Sequence, residues 1–364
     1  MKYLDEFRVK GPLQAILAKI KALSPQPVSL MEVCGTHTVS ISKSGLRSLL
    51  PSHIRLISGP GCPVCVTSLG DVDRVIMLAA EERNHKRFII TTFGDMMRVP
   101  GSSTSLMKEK AKGADIRIVY SPADALTMAV ENPEREVVFF AVGFETTSPT
   151  IAATVLNAQS AGISNFSIIS NHKLIPPAME VLLEDATTTI DGFLCPGHVS
   201  AIIGTRPYQR IVERYGKGCI ISGFEPLDII LSTYRLMLQI QERTPRVEIE
   251  YSRVVQAEGN GKALAMLYKV FSVTDARWRG FGTIPNSGLA LKEEFFPYDA
   301  AQKFGLTAPE VSDPKGCRCD QVLKGIIIPP QCPLFATRCT PAEPVGACMV
   351  SSEGTCAAYY KYEQ

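Results

Sequence analysis

The sequence is poor in the features that mark a membrane, secreted or nucleic-acid-binding protein. Its longest apolar runs, such as Val137–Gly143, are far too short to cross a bilayer. The N-terminus, MKYLDEFRVKGPLQAILAKIKAL, carries early acids and reads as an amphipathic helix, not as the apolar stretch of a signal peptide. Neither charge sign dominates. The 38 Lys and Arg stand against 36 Asp and Glu, dispersed along the chain, and no basic stripe with interleaved aromatics offers a face to nucleic acid. Phosphate loops are missing too. Gly59-Pro60-Gly61 opens like a dinucleotide fingerprint, but Val64 stands where the third glycine is required, and there is no G-x4-G-K-[ST] run. What remains is a folded chain, 45% apolar and 20% charged, expected in the cytoplasm with no membrane and no nucleic-acid partner.

What is present in excess is cysteine, eleven in 364 residues. In a reducing compartment structural disulfides are uncommon, so clustered thiols point to metal or redox chemistry. Cys34, Cys62 and Cys65 lie near the N-terminus, Cys195 and Cys219 stand alone in the middle, and six fall between Cys317 and Cys356. The six sit in a Cys-, Pro- and Gly-rich tail without periodicity, which needs a staple to fold. A structural zinc site usually takes two close pairs, whereas only Cys317–Cys319 is close here. Wide, irregular spacing suits a [4Fe–4S] cluster reached by separate loops. Spacing alone neither selects the four ligands nor excludes zinc.

Over the first 225 residues one rhythm repeats: a short β-branched apolar run, a glycine-containing turn, then a helical segment. Strands are expected at Val28–Val33, Ile54–Ser58, Phe88–Thr92, Ile116–Tyr120, Val137–Val142, Phe166–Ser170, Ile190–Cys195 and Cys219–Ser222. Such alternation implies an α/β fold of parallel sheets with helices on both faces. Divided four and four, the strands give two α/β domains, 1–135 and 136–245, followed by a small Cys-rich iron–sulfur domain, 246–364. In that last region a helix is expected at Gly259–Phe271.

Parallel strands open their C-terminal ends on one edge, where ligands of open α/β folds bind. Met31-Glu-Val-Cys34-Gly-Thr-His37 leaves the first strand and Gly59-Pro-Gly-Cys62-Pro-Val-Cys65 the second, so the three thiols are expected to converge there. Each lies near a helix start, whose free N–H groups stabilise thiolate and lower its pKa. Cys62 is expected as the better nucleophile or ligand, with Cys65 its resolving partner. Glu145 and His198, at the ends of later strands, are expected to face the same cleft as acid/base or hydrogen-bonding groups. Asp95 and His172 read as caps or turn residues, and Cys195 and Cys219 as core.

MEVCGTHT, GPGCPVC, TFGDMMRVPGS, VGFETTSPT, CPGHVS and the tail CRCDQVLKG…PQCPLF…RCTP…GACMVSSEGTCAAYYKY together closely resemble the hydrogenase maturation factor HypD family, in order, from about residue 20 to the C-terminus. The resemblance implies assembly of the Fe(CN)2CO group of [NiFe] hydrogenases on a scaffold formed with HypC, with HypE delivering cyanide. Iron would be the transient cargo and a [4Fe–4S] cluster the resident cofactor. The family's C-x12-C-x6-C-x16-C pattern assigns the cluster to Cys319, Cys332, Cys339 and Cys356, leaving Cys317 and Cys348 as non-ligands. Cys34, Cys62 and Cys65 carry over as the iron-binding and redox thiols, and His37 as a supporting residue. Asp320, where glycine is expected, departs from the pattern without touching the ligand count. Two rival readings use the same residues: an iron–sulfur thiol–disulfide oxidoreductase acting on partner disulfides, and a zinc-stapled α/β binding module.

Overall fold

The computed structural model describes residues 10–23 and 26–363. Of the N-terminal amphipathic segment, Lys10–Lys21 is helical, and the residues before it lie outside the described ones. Among the described residues no helix is long and apolar enough to cross a membrane.

All eight expected strands form: β1 (Val28–Glu32), β2 (Ile54–Ser58), β3 (Phe88–Thr92), β4 (Ile116–Ile118), β5 (Glu136–Gly143), β6 (Phe166–His172), β7 (Gly192–Pro196) and β8 (Gly218–Ser222). Three more join them: β9 (Val247–Ile249) and the hairpin β10 (Phe271–Trp278) and β11 (Gly282–Leu291). The protein is α/β, with two parallel sheets flanked by helices and a Cys-rich C-terminal region. β1, for example, sends Leu30 to one packed layer and Met31 to the other. Burial on both faces is why these strands read as continuous apolar runs rather than as alternating ones.

The sheets are not consecutive in sequence. The first has the order β2-β1-β7-β8-β9 and the second β4-β3-β5-β6. The expected four-and-four split near residue 135 is therefore corrected. The chain lays down β1 and β2, leaves to build the whole second sheet over residues 88–172, and returns to pair β7 beside β1, Met31 facing Phe193. The apolar pattern of a buried parallel strand marks it as a strand but carries no information about its neighbour.

The hairpin escaped the sequence reading for a different reason. β10 is exposed along most of its length, and β11 contains Pro285 and three glycines or serines, so neither shows a buried-strand pattern. It ties the halves together. Leu174 donates its amide to Ser287 O at 2.9 Å, and Arg279 donates to Val66 O at 2.9 Å. The tail packs back on the rim through the Thr355–Tyr362 helix, which lies on the Gly35–Lys43 helix. Arg98 Nη2 reaches Val350 O at 3.1 Å, and Ser351 Oγ donates to Asp95 Oδ2 at 3.0 Å.

Candidate functional site

The returning β7 decides what the rim of the first sheet carries. In the order β2, β1, β7, β8 the strand ends present Gly59-Pro-Gly-Cys62, Cys34-Gly-Thr-His37, Gly197-His198 and Gly223-Phe224 side by side. Gly61 lets the first two loops touch, and Gly35 makes room for the C-terminal tail. A Cβ on Gly61 would stand 2.1 Å from Cys34 N, and one on Gly35 would stand 2.5 Å from the Glu353 Cβ. In their place Gly35 N–H donates to Gly61 O at 2.9 Å.

Cys34 is the N-cap of the Gly35–Lys43 helix, and the His37 and Thr36 amides point back at its sulfur. The expected low pKa is nevertheless overturned. Burial, with the carboxylates of Glu353 and Glu32 nearby, outweighs those amides and pushes the thiol up to about 12. Glu32 is itself buried and pushed up to about 7 by desolvation, although it accepts hydrogen bonds from Thr38 Oγ1 and, at 3.0 Å, from Cys34 N–H. Cys34 therefore keeps its proton at neutral pH.

His37 is fully buried. Its Nε2 bonds Gly223 O at 2.9 Å and Ser222 O at 3.3 Å, which fixes the proton on Nε2 and leaves Nδ1 without a described partner. Desolvation holds it near pKa 4, hence neutral. Phe224 lies between two imidazoles, its centroid 4.8 Å from His37 and 4.1 Å from the exposed, stacked His198. Glu353, which the sequence reading missed, comes from the far end of the chain to this point. It accepts from Thr36 Oγ1 at 2.7 Å and faces both Cys34 and His198.

Cys62 and Cys65 form a close pair on the short Pro63–Val66 turn, Sγ to Sγ 2.7 Å, with the Cys65 amide on Cys62 Sγ at 3.3 Å. Burial first, then the neighbouring sulfurs of Cys348 and Cys62, raise the Cys65 thiol well above its ordinary value. Among the described residues no three His, Cys, Asp or Glu side chains are gathered as a ready-made single-ion site. Cys34 thus shares the cleft with the pair without closing on one point with it.

All six C-terminal cysteines line one small enclosed cavity, whose remaining walls include Val322, Leu334, Phe335 and Met349. Cys319 and Cys348 are 3.0 Å apart, and Cys348 lies within electrostatic reach of Cys356 and Cys65. Cys62, Cys65, Cys348 and Cys319 therefore pack in one buried cluster. The donor set fits an iron–sulfur cluster: thiols in excess of four, a largely apolar wall, and an amide from Val345 to Cys339 Sγ at 3.3 Å. Spacing alone could not show that Cys348 joins the two thiol groups, because 282 residues of chain separate it from Cys65 (348 − 66).

Arg279, in the β10–β11 turn, was also missed. Its side chain is 1% exposed, and its Nε donates to Thr67 O at 3.0 Å, directly behind the Cys62–Cys65 turn. Nη1 and Nη2 have no described partner, Asp313 stays 3.9 Å from Nε, and the guanidinium acts electrostatically on Cys317 and Cys319. Glu145 does not join the thiol cleft. It enters a separate cavity that contains no cysteine.

The molecule is a two-sheet α/β protein with a thiol cleft set against a cysteine-lined cavity. Comparison with known proteins gives the family. Residues 12–363 match the HypD model, described as the hydrogenase formation hypA family. The chain is 46% identical to hydrogenase maturation factor HypD2 of Bradyrhizobium diazoefficiens and to HypD of Cupriavidus necator, each alignment covering 100% of this chain and 97% of that protein. It is 43% identical to a putative hydrogenase expression/formation protein of Methanocaldococcus jannaschii, over 93% of this chain and 92% of the other. The chain belongs to the hydrogenase maturation factor HypD family.

Proposed function

We propose that this maturation factor is a scaffold on which, with HypC and HypE, the Fe(CN)2CO group is assembled, and that its C-terminal cavity holds a [4Fe–4S] cluster. The observation that carries the reading is the cavity lined by six cysteines, packed in one buried cluster with the cleft pair Cys62–Cys65. Cys332, Cys339 and Cys356 supply three cluster ligands. The spacing pattern assigns the fourth to Cys319. We read the 3.0 Å contact as pairing Cys319 with Cys348 as a second dithiol, and on that reading assign the fourth position to Cys317. A bound cluster would supply single electrons.

The chain's own residues do the rest. A disulfide in one of the pairs Cys62–Cys65 and Cys319–Cys348 is reduced as the other pair is oxidised, by attack of a thiolate on a disulfide sulfur, two electrons and two protons changing place. Cys34 anchors the cargo iron: a soft, buried ligand at a strand end, deprotonated by the metal it binds. His37 positions the Cys34 helix through its bonds to the β8 end, and Glu353 and His198 hold polar groups at the cleft mouth.

Purification without oxygen, then iron and sulfide analysis and infrared spectroscopy of the complex with HypC, tests this. About four irons and four sulfides per chain, with CN and CO bands lost in Cys34→Ala while the cluster stays, are expected. Zinc in place of iron would leave the stapled module. Intact cluster and thiol cycling without CN or CO bands would leave the disulfide reductase.

A further inference from the structure

The Gly143-Phe-Glu145-Thr-Thr turn ends β5 at a cavity of about 800 Å³ that the thiol chemistry does not use. Glu145 is 3% exposed and lines it. One carboxyl oxygen, Oε1, accepts the Ile175 amide at 3.0 Å and so caps the Ile175–Glu184 helix; the other, Oε2, is buried with no described partner. A helix cap needs one oxygen, and leaving the second desolvated and unpaired is costly in the empty site. The wall beside it is apolar, made by Pro176, Pro177 and Leu264.

Charge around the cavity points to the sign of what fits. The charged groups facing it are Glu180 on the Ile175–Glu184 helix, Arg206 and Arg210 on the Arg206–Tyr215 helix, and Glu258 on the loop before Gly261–Val270. Arg210 is committed to Glu180 at 3.0 Å. That leaves Glu145 and Glu258 against Arg206, with the acid at the floor and the arginine exposed. Tyr268 stands across the cavity within electrostatic reach of Glu145 and offers its ring to a cation.

We propose that this cavity binds a primary ammonium or guanidinium group on an apolar stem, with Glu145 as its counter-carboxylate. The stem lies on the prolines and Leu264, and the cation takes the vacant Oε2. An anionic ligand would meet the buried carboxyl, and a purely apolar one would leave it unpaired. The same chemistry serves a basic side chain of a partner protein or a free small amine. The site is independent of any cluster.

The probes are n-butylammonium and n-butylguanidinium, with n-butanol and butyrate as neutral and anionic counterparts, followed by saturation-transfer NMR on the full chain. Both cations should bind and the two counterparts should not. Burial holds Glu145 at about pKa 7, so a cation must expel its proton at low pH. Cation affinity should then rise by roughly tenfold from pH 6 to pH 8, as the ionised fraction grows. Glu145→Gln, which keeps the cap on Ile175, should abolish binding, and Leu264→Arg should abolish it independently by placing a guanidinium in the cavity. Butanol binding as well as the cations, or cations binding Glu145→Gln unchanged, or no cation binding at 10 mM (about a weak-ligand limit) overturns the proposal. A markedly tighter fit for Nα-acetyl-lysine methylamide than for butylammonium identifies a protein side chain as the source; equal or weaker binding identifies a free amine.

Discussion

Replacing Gly61 with alanine tests whether contact between the two loops at the rim builds the thiol cleft. The added Cβ would stand 2.1 Å from Cys34 N, 2.4 Å from Cys34 Cα and 2.5 Å from Val33 C, against the 3.4 Å at which ordinary contact begins. All three atoms are backbone, so no rotamer change relieves the clash, and the loops must separate. Overpacking of this kind costs about 1–3 kcal/mol. Separation also breaks the 2.9 Å bond from Gly35 N to Gly61 O, worth about 1 kcal/mol net. The sum, about 2–4 kcal/mol, should lower the melting temperature by roughly 4–8 °C at about 2 °C per kcal/mol for a chain of this size. Gly261, which opens a helix and has nothing within 4 Å of its would-be Cβ, is the control. Gly261→Ala should be neutral or slightly stabilising. Differential scanning calorimetry and alkylation rates at Cys34 read both effects, since a displaced Cys34 leaves its buried position and reacts faster. If Gly61→Ala melts within about 1 °C of the parent and Cys34 labels at the parent rate, the loop contact does not build the cleft and the argument is wrong.

Cys317→Ala should lose most of its iron and sulfide, whereas Cys319→Ala should keep them and lose only the capacity to form the Cys319–Cys348 disulfide; the reverse result restores Cys319 as the ligand. Arg279→Met removes a buried guanidinium whose Nη atoms have no described partner. The cluster-free protein should be no less stable, within about 1 kcal/mol, while the loaded protein's midpoint potential in an EPR-monitored titration should fall, because a positive charge beside Cys317 and Cys319 is gone. An unchanged potential would make Arg279 purely structural. Glu32 and Glu145 are both raised from 4.5 to about 7 by burial. A raised folded-state pKa means their stabilisation is complete below about 4.5 and is lost as pH rises to about 7. Each such shift corresponds to about 3 kcal/mol. Urea midpoints of Glu145→Gln should therefore fall less between pH 4.5 and pH 8 than those of the parent, and parallel curves would refute the assignment.

The amino-acid pattern alone determined the fold class, the position of eight strands and the family. Buried parallel strands and glycine turns are local signals, and motifs such as MEVCGTHT and GPGCPVC are contiguous in the chain. It also placed Cys34, Cys62 and Cys65 at strand ends, because a parallel sheet has one such edge. Only the tertiary structure decided which strands are neighbours, since β7 pairs with β1 across more than a hundred intervening residues without a local mark. From that pairing follows the rest of the site: His198 and Phe224 beside His37, Glu353 against Cys34, and Cys348 between Cys65 and Cys319. It also regrouped the strands, reversed the low-pKa expectation at Cys34 and Cys65, and moved one residue. The thiolate-stabilising helix start at Cys34 is present but loses to burial and two carboxylates, and Glu145 faces a cavity of its own. Electrostatics and coordination depend on which groups are near in space and how dry they are, and a linear sequence specifies neither.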